Sequence, residues 1–314
     1  MKLEDVITAY VTLQRSLGLR FISSGRLLRQ YGHTMGDISI DEVQPDGVTA
    51  FLLGTGALSA TYKVRYSVLC GLYKFATTRG YVEQSPLPPD LPTLPRPQSP
   101  YVYSTEELRR LIEATPVLHV GHSRQQAAMY RTLILLLYST GLRIGEALGL
   151  TIRDVNLIDA VVTVRNTKFY KTRLVPIGPK LTAELASHLK RRGLLPLPEG
   201  EDSKFFTSRT GRGWAYQHVI TLFQHLRTAA RITCPPGEIR PPRLYDLRHT
   251  AAVHRVVAWY RSGQDVQRLL PNLATYLGHL DLRSTQRYLH MTPDLLDQAS
   301  RRFAQYAQQG ERHE

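Results

Sequence analysis

A chain of 314 residues with an apolar fraction of 42% carries enough hydrophobic material for one large core or two ordinary ones, which excludes an intrinsically disordered protein. Its 40 lysines and arginines face 26 acids, a net charge of +14, so a polyanion such as nucleic acid is a natural partner and a merely soluble basic protein is the bland alternative. Two widely separated cysteines, Cys70 and Cys234, supply neither a disulfide framework nor a metal pair. The opening stretch, MKLEDVITAYVTLQ, lacks the charged-then-apolar order of a targeting segment. The longest apolar run, Leu133–Tyr138, is too short to cross a bilayer. A soluble protein of a reducing compartment, without membrane association, is the expectation.

The charge is unevenly placed: residues 1–90 hold 9 basic against 8 acidic side chains, so nearly all of the excess lies beyond them. In this first part, apolar residues fall at helical spacing over Val6–Leu17, Leu27–Tyr31, Val48–Leu53 and Tyr62–Ala76, which predicts a bundle of four or five short helices. The acidic segment GDISIDEVQPDG separates the second from the third. Arg15, Arg20, Arg26, Arg29, Lys63, Arg65 and Lys74 could line one face toward DNA, and solvated helix faces explain them equally well. Residues 85–100 read SPLPPDLPTLPRPQSP, with seven of the nineteen prolines; such a segment is stiff, extended and poor in donors, and reads as a linker.

Beyond it, Ser104 followed three residues later by Glu107 forms a capping box that opens a helix. AAMYRTLILLLYSTGLRIGEALGLTIRDV reads as a buried helix, a break at Gly141 and a second helix. AVVTVR and TRLVPIG flank NTKFYK as the strands of a hairpin. Helices follow at about Pro179–Arg192, Ala215–Ala230 and Asp246–Ser262, then short helical pieces lead to Tyr288. The larger part is therefore mainly α with a small β-sheet.

Four places could carry phosphate chemistry. Arg143 sits among leucines and an isoleucine near a helix start, where a buried charge needs an anion: either Glu146 or a ligand phosphate. Lys168 lies at the hairpin tip, from which a lysine can reach a neighbouring groove, although surface hairpins are commonly lysine-rich. Arg248 and His249 enter a helix face that should be packed; His249 and His254 are five apart and so off one face, which argues against a metal pair. His279 follows YLG, and Tyr288 comes nine residues later. A phenol, with a pKa of about 10, is a poor nucleophile until its anion is stabilised, and arginines supply that field. Together these groups make a coherent metal-free phosphodiester site: arginines clamp the non-bridging oxygens, tyrosine attacks phosphorus and lysine protonates the departing oxygen.

At this point the chain resembles the tyrosine recombinases, the phage-integrase-like family, over essentially its whole length. TGLRIGEALGL is similar to the first arginine box and gives Arg143; TKFYKTRLVPIG is similar to the strand–turn–strand segment and, counted back from Pro176, gives Lys168 rather than Lys171. YDLRHT resembles the second arginine box and gives Arg248, while LGH with the tyrosine nine residues on gives His279 and Tyr288. The resemblance implies an α+β fold with a helical, SAM-like core-binding bundle at 1–84, the linker at 85–100 and a catalytic domain with a helical tail at 101–314. It further implies cleavage and rejoining of double-stranded DNA through a 3′-phosphotyrosyl intermediate at Tyr288, without metal, ATP or other cofactor. Four protomers acting on two DNA sites, or a hetero-assembly with related recombinases, is the expected partner set, in the bacterial cytoplasm at the nucleoid.

Two departures bear on this reading. Tyr245 stands where the family usually has histidine and sometimes lysine, which leaves the proton acceptor for Tyr288 open. SGQDVQRLLPNLATYLGH is longer than the commonest spacing and resembles a transposable-element branch, pointing to a mobile-element recombinase that integrates or transposes. In the tail, Leu296, Ala299 and Phe303 form an apolar stripe, to pack on its own domain or on a neighbouring protomer. The alternatives are a catalytically silent DNA-binding accessory protein of the same fold, a type IB topoisomerase and a helical transcription regulator.

Overall fold

The computed structural model describes residues 1–56, 58–90, 92–93, 100–118, 124–165, 172–234, 236–237, 240–279, 283–286 and 300. Contacts divide the chain into two units, Met1–Gln98 and Ser99–Glu314.

The first unit is built from α1 (Leu3–Ser16), α2 (Ile22–Met35), α3 (Pro45–Leu53) and α4 (Ala60–Thr78), with a 3-10 turn at Ile40–Glu42 inside the acidic segment. Each helix turns an apolar stripe inward: Leu3, Val6, Ile7 and Tyr10 from α1 meet Leu28 and Tyr31, Val48, Phe51 and Leu52, and Leu69, Leu72, Tyr73 and Ala76. Each side chain of this size contributes about 1.5–3 kcal/mol when fully buried. The hydroxyls of Tyr31 and Tyr73 bond each other at 2.6 Å, so neither buried phenol is left unpaired. Burial pushes the Tyr73 phenol up to about 12, although its bond with Tyr31 opposes this. One of the basic residues offered for a DNA face has another role. Arg65 donates to the carbonyls of Phe51 and Leu52 at the end of α3 and lies over the Phe51 ring. Arg15, Arg26, Arg29, Lys63 and Lys74 are exposed.

The second unit opens with α5 (Thr105–Glu113), whose Ser104 and Glu107 form the expected capping box. Its core is organised by α6 (Arg124–Thr140), in which Met129, Tyr130, Leu133, Ile134, Leu136 and Leu137 are all buried. That explains the apolar run: a helix covered on most of its sides needs no polar face. After Gly141 comes α7 (Ile144–Gly149), then an antiparallel sheet in the order β1 (Val155–Asn156), β2 (Val161–Val164), β3 (Arg173–Pro176). Val162 stands opposite Val155 on one side and Val175 on the other, and all three are buried. The hairpin strands lie where the β-rich runs predict them; its tip, residues 166–171, lies outside the described residues. The two-residue β1 is too short to show in the sequence pattern.

Four further helices follow: α8 (Pro179–Arg192), α9 (Tyr216–Ala229), α10 (Asp246–Arg261) and α11 (Val266–Leu277), and then the short α12 (Arg283–Gln286). The fully buried Arg192 donates to the carbonyls of Lys204, Leu195 and Pro196, gathering the chain that leaves α8. The helical pieces expected on the way to Tyr288 include one helix of about three turns, α11, before LGH and the short α12 after it. Asp265 caps α11 by accepting from the Arg268 N–H, and Val266, Leu270, Leu273, Ala274 and Leu277 form a buried stripe along it. Pro271 lies inside this helix, so packing of the stripe outweighs the roughly 3 kcal/mol that an interior proline costs. No described helix is long and apolar enough to cross a membrane.

Candidate active site

The site is assembled around the last turn of α11. Gly141, at the break after α6, has φ +62°, and a Cβ there would stand 2.5 Å from Leu277 Cδ2. Glycine is therefore favoured twice over, by a left-handed backbone and by the close approach of the Leu277 side chain. Gly278, in LGH, has φ +69° and lies under the guanidinium of Arg173, which a Cβ would meet at 2.7 Å.

Three consecutive carbonyls at this helix end each accept from a different arginine. Tyr276 O accepts from Arg173 Nε at 3.2 Å, Leu277 O from Arg248 Nη2 at 2.8 Å, and Gly278 O from Arg143 Nη2 at 3.2 Å. The C-terminal end of a helix carries partial negative charge and free carbonyls, so it suits cations. Arg248 also donates from Nη1 to Gly141 O at 2.6 Å, tying the first arginine segment to the second; its side chain is 2% exposed. Arg143 is the more open of the two, with 37% of its side chain exposed.

Arg143 meets one of the two anions its surroundings required. Its Nη1 pairs with Glu146 Oε1 at 2.8 Å, and its backbone N–H donates to Oε2 at 3.0 Å, fixing the start of α7. The same carboxylate takes a second, bidentate pair from Arg173, at 3.2 Å and 2.7 Å. Burial pushes the Glu146 carboxyl up, yet the bonds and charge of Arg173, and then those of Arg143, hold it below the ordinary carboxylate range. Arg173 was not legible as a member of this site; its only sequence signal is a basic residue opening the strand that ends in VP.

His279 follows directly: its N–H donates to Ala274 O, and Nδ1 lies 2.6 Å from the buried Thr285 hydroxyl of α12. Tyr245 stands just before α10, 42% exposed, with its ring edge-on to His249 at 5.1 Å. His254, further along α10, bonds the Tyr138 hydroxyl at 2.9 Å. Arg143, Arg248 and His279 are thus brought together at the end of α11, while Lys168 and Tyr288 lie outside the described residues. Among the described residues, no group of three or more histidine, cysteine or acidic side chains is placed to hold a metal.

The phage integrase family model matches residues 102–294, more than half of the chain and the whole stretch that carries these boxes. The chain belongs to the phage integrase family. Among relatives in that family, the integrase/recombinase-type protein y4rB of Sinorhizobium fredii is 36% identical over 244 residues, covering 73% of this chain and 77% of that protein. A second protein of the same organism, y4rE, is 31% identical over 311 residues, covering 96% and 95%. The tyrosine recombinase XerC of Oceanobacillus iheyensis is 29% identical over 238 residues, covering 75% and 71%. In fold, the chain is similar to the XerH site-specific recombinase bound to its palindromic difH substrate, with a TM-score of 0.66, 21% identity and coverage of 95% and 83%. It is likewise similar to the Tn1549 transposon integrase in complex with transposon right-end DNA, with a TM-score of 0.66, 18% identity and coverage of 96% and 99%. The mainly helical architecture with a small antiparallel sheet is therefore that of the tyrosine recombinases.

Proposed function

We propose that this chain is an active site-specific recombinase that cuts and rejoins double-stranded DNA through a 3′-phosphotyrosyl intermediate, in the service of integrating or transposing a mobile element. The observation that carries the reading is the convergence of Arg143 and Arg248, 105 positions apart in the sequence, on adjoining carbonyls beside His279. Membership of the integrase family supports it. Residues 1–84 serve as the core-binding domain, 85–100 as the linker and 101–314 as the catalytic domain.

In this mechanism the two guanidiniums bind the non-bridging oxygens of one phosphodiester with forked hydrogen bonds and stabilise the added charge of the pentavalent transition state. The Tyr288 phenol gives up its proton to solvent water as its oxygen forms a bond to phosphorus, the bond to the 5′-oxygen breaks, and Lys168 gives that oxygen a proton. His279, steadied by Thr285, donates to the phosphate, and Tyr245 does the same from the position usually held by histidine. The energy of the broken ester stays in the protein–DNA bond, so attack by a 5′-hydroxyl, its own or a partner strand's, reseals DNA without nucleotide or metal. The acting assembly is four protomers on two duplexes, or a mixed set with related recombinases, working at the bacterial nucleoid.

The test is strand exchange between two duplexes tiled across the DNA flanking its gene. A four-way junction and recombinant duplexes are the expected products. Supercoil relaxation without recombinants would make it a topoisomerase, and stable binding with neither would make it a silent accessory protein.

A further inference from the structure

Arg173 is more enclosed than Arg143, the arginine with which it shares a carboxylate. Its side chain is 13% exposed, its Nε bonds Tyr276 O, and its two Nη groups grip both oxygens of Glu146, whose side chain is 9% exposed. Each Glu146 oxygen accepts twice: Oε1 from Arg143 and Arg173 side chains, Oε2 from the Arg143 N–H and from Arg173. One carboxylate is thus shared by two guanidiniums, and the trio keeps a net charge of +1. Were Arg173 absent, the Arg143–Glu146 pair would be neutral, and the arginine meant for phosphate would have its charge cancelled by its own neighbour.

We infer that Arg173 is a positioning residue for this site: it takes up the Glu146 carboxylate so that Arg143 remains a net cation toward the phosphate, and it pins that carboxylate to the end of α11. The inference rests on the DNA-cleavage reading above. Arg173 touches no phosphate in this role; it acts through Glu146. Glu146 and Arg173 are largely shielded from water, and there charge balance matters more than at the surface, because partners screened by little water interact strongly. Gly278 completes the device, since any side chain there would displace the Arg173 guanidinium.

The experiment measures single-turnover formation of a protein–DNA adduct on nicked duplexes tiled across the DNA flanking the gene, at saturating protein and without magnesium, with Kd measured by anisotropy on the same duplex. Arg173→Met should slow adduct formation by roughly 10²-fold, because the charge of Arg143, the positioned donor, is then cancelled by Glu146, while Kd changes by less than about threefold. Adding Glu146→Gln to that variant removes the cancelling charge and should restore the rate about tenfold or more. A purely structural tie predicts the opposite: the double variant, having lost both partners, would be no faster than the single. That result, or an Arg173→Met rate equal to native, overturns the inference while leaving the cleavage reading intact. If the native chain forms no adduct on any duplex, the cleavage reading fails and this inference falls with it. Should circular dichroism show Arg173→Met unfolded, Arg173→Lys decides. It keeps a cation beside Glu146 and should stay within about tenfold of native, and a greater loss at native-like fold and Kd would refute the charge role.

Discussion

Replacing Gly141 by alanine perturbs the site without touching any charged group. Two costs follow from the structure. A left-handed backbone at φ +62° disfavours an L side chain by about 1–2 kcal/mol. The new methyl would also stand 2.5 Å from Leu277 Cδ2, and relieving such overpacking in a tight core costs about 1–3 kcal/mol. The sum, about 2–5 kcal/mol, corresponds to a fall in Tm on the order of 5–15 °C for a unit of this size. Trp214 and Trp259, the chain's two tryptophans, both lie in the second unit, so fluorescence-detected urea unfolding reads this unit selectively. Gly145→Ala is the matched control: it lies inside α7, where a Cβ would meet nothing within 4 Å, and should be neutral or gain about 0.5–1 kcal/mol. Leu277→Ala in the Gly141→Ala background should recover part of the second cost, though it forfeits its own burial. Equal stability of Gly141→Ala and Gly145→Ala would refute the claim that the glycine break is shaped by its approach to α11.

Other outcomes follow from named groups. His188 is fully buried, and burial pushes its imidazole down to about 4 from the ordinary 6.5, although its bond to Phe205 O opposes the shift. The unfolded chain thus binds a proton between pH 6.5 and 4 that the fold refuses, so stability should fall as pH drops through that window, by up to about 3 kcal/mol. His188→Gln should flatten the slope, and an unchanged slope in urea titrations would contradict the assignment. Lys168→Ala should slow DNA cleavage, and a 5′-bridging sulfur, which leaves without protonation, should restore much of the rate; absence of rescue removes Lys168 from the acid role. Tyr245→His should keep or raise the rate of adduct formation if that position serves only to donate to phosphate, and a complete loss would show a specific task for the phenol.

How much of this was legible beforehand depended on the range of the interactions concerned. The four helices of the first unit, α8, α9 and α10 all appear in the sequence as apolar spacing, because each is decided within a few turns. The β2–β3 pairing was legible from two β-rich runs flanking a short turn. The expected short helical pieces on the way to Tyr288 carry no bounds in the sequence, since Pro271 weakens the local helix signal while the buried stripe that holds α11 together is a tertiary effect. Neither a DNA-facing nor a solvated role describes Arg65, and its true role is not visible locally because its carbonyl partners on α3 lie 13 and 14 positions away. In the site, the boxes name Arg143, Arg248 and His279, and the salt bridge from Arg143 to Glu146 is foreseeable at a spacing of three. The sharing of that carboxylate with Arg173, and the run of three carbonyls that collects the arginines, depend on contacts up to 135 positions apart and leave no local pattern.

The central claim, a tyrosine that carries the DNA, is tested most directly by mapping the bond itself. The protein is mixed with nicked duplexes from the DNA flanking its gene, without magnesium, denatured, digested and read by peptide mass. The account predicts a nucleotide joined through its 3′-phosphate to the peptide containing Tyr288, a free 5′-hydroxyl on the released strand, and no adduct from Tyr288→Phe, which still binds the duplex. Attachment at another residue, a 5′-phosphate linkage, or an undiminished adduct in Tyr288→Phe would contradict it.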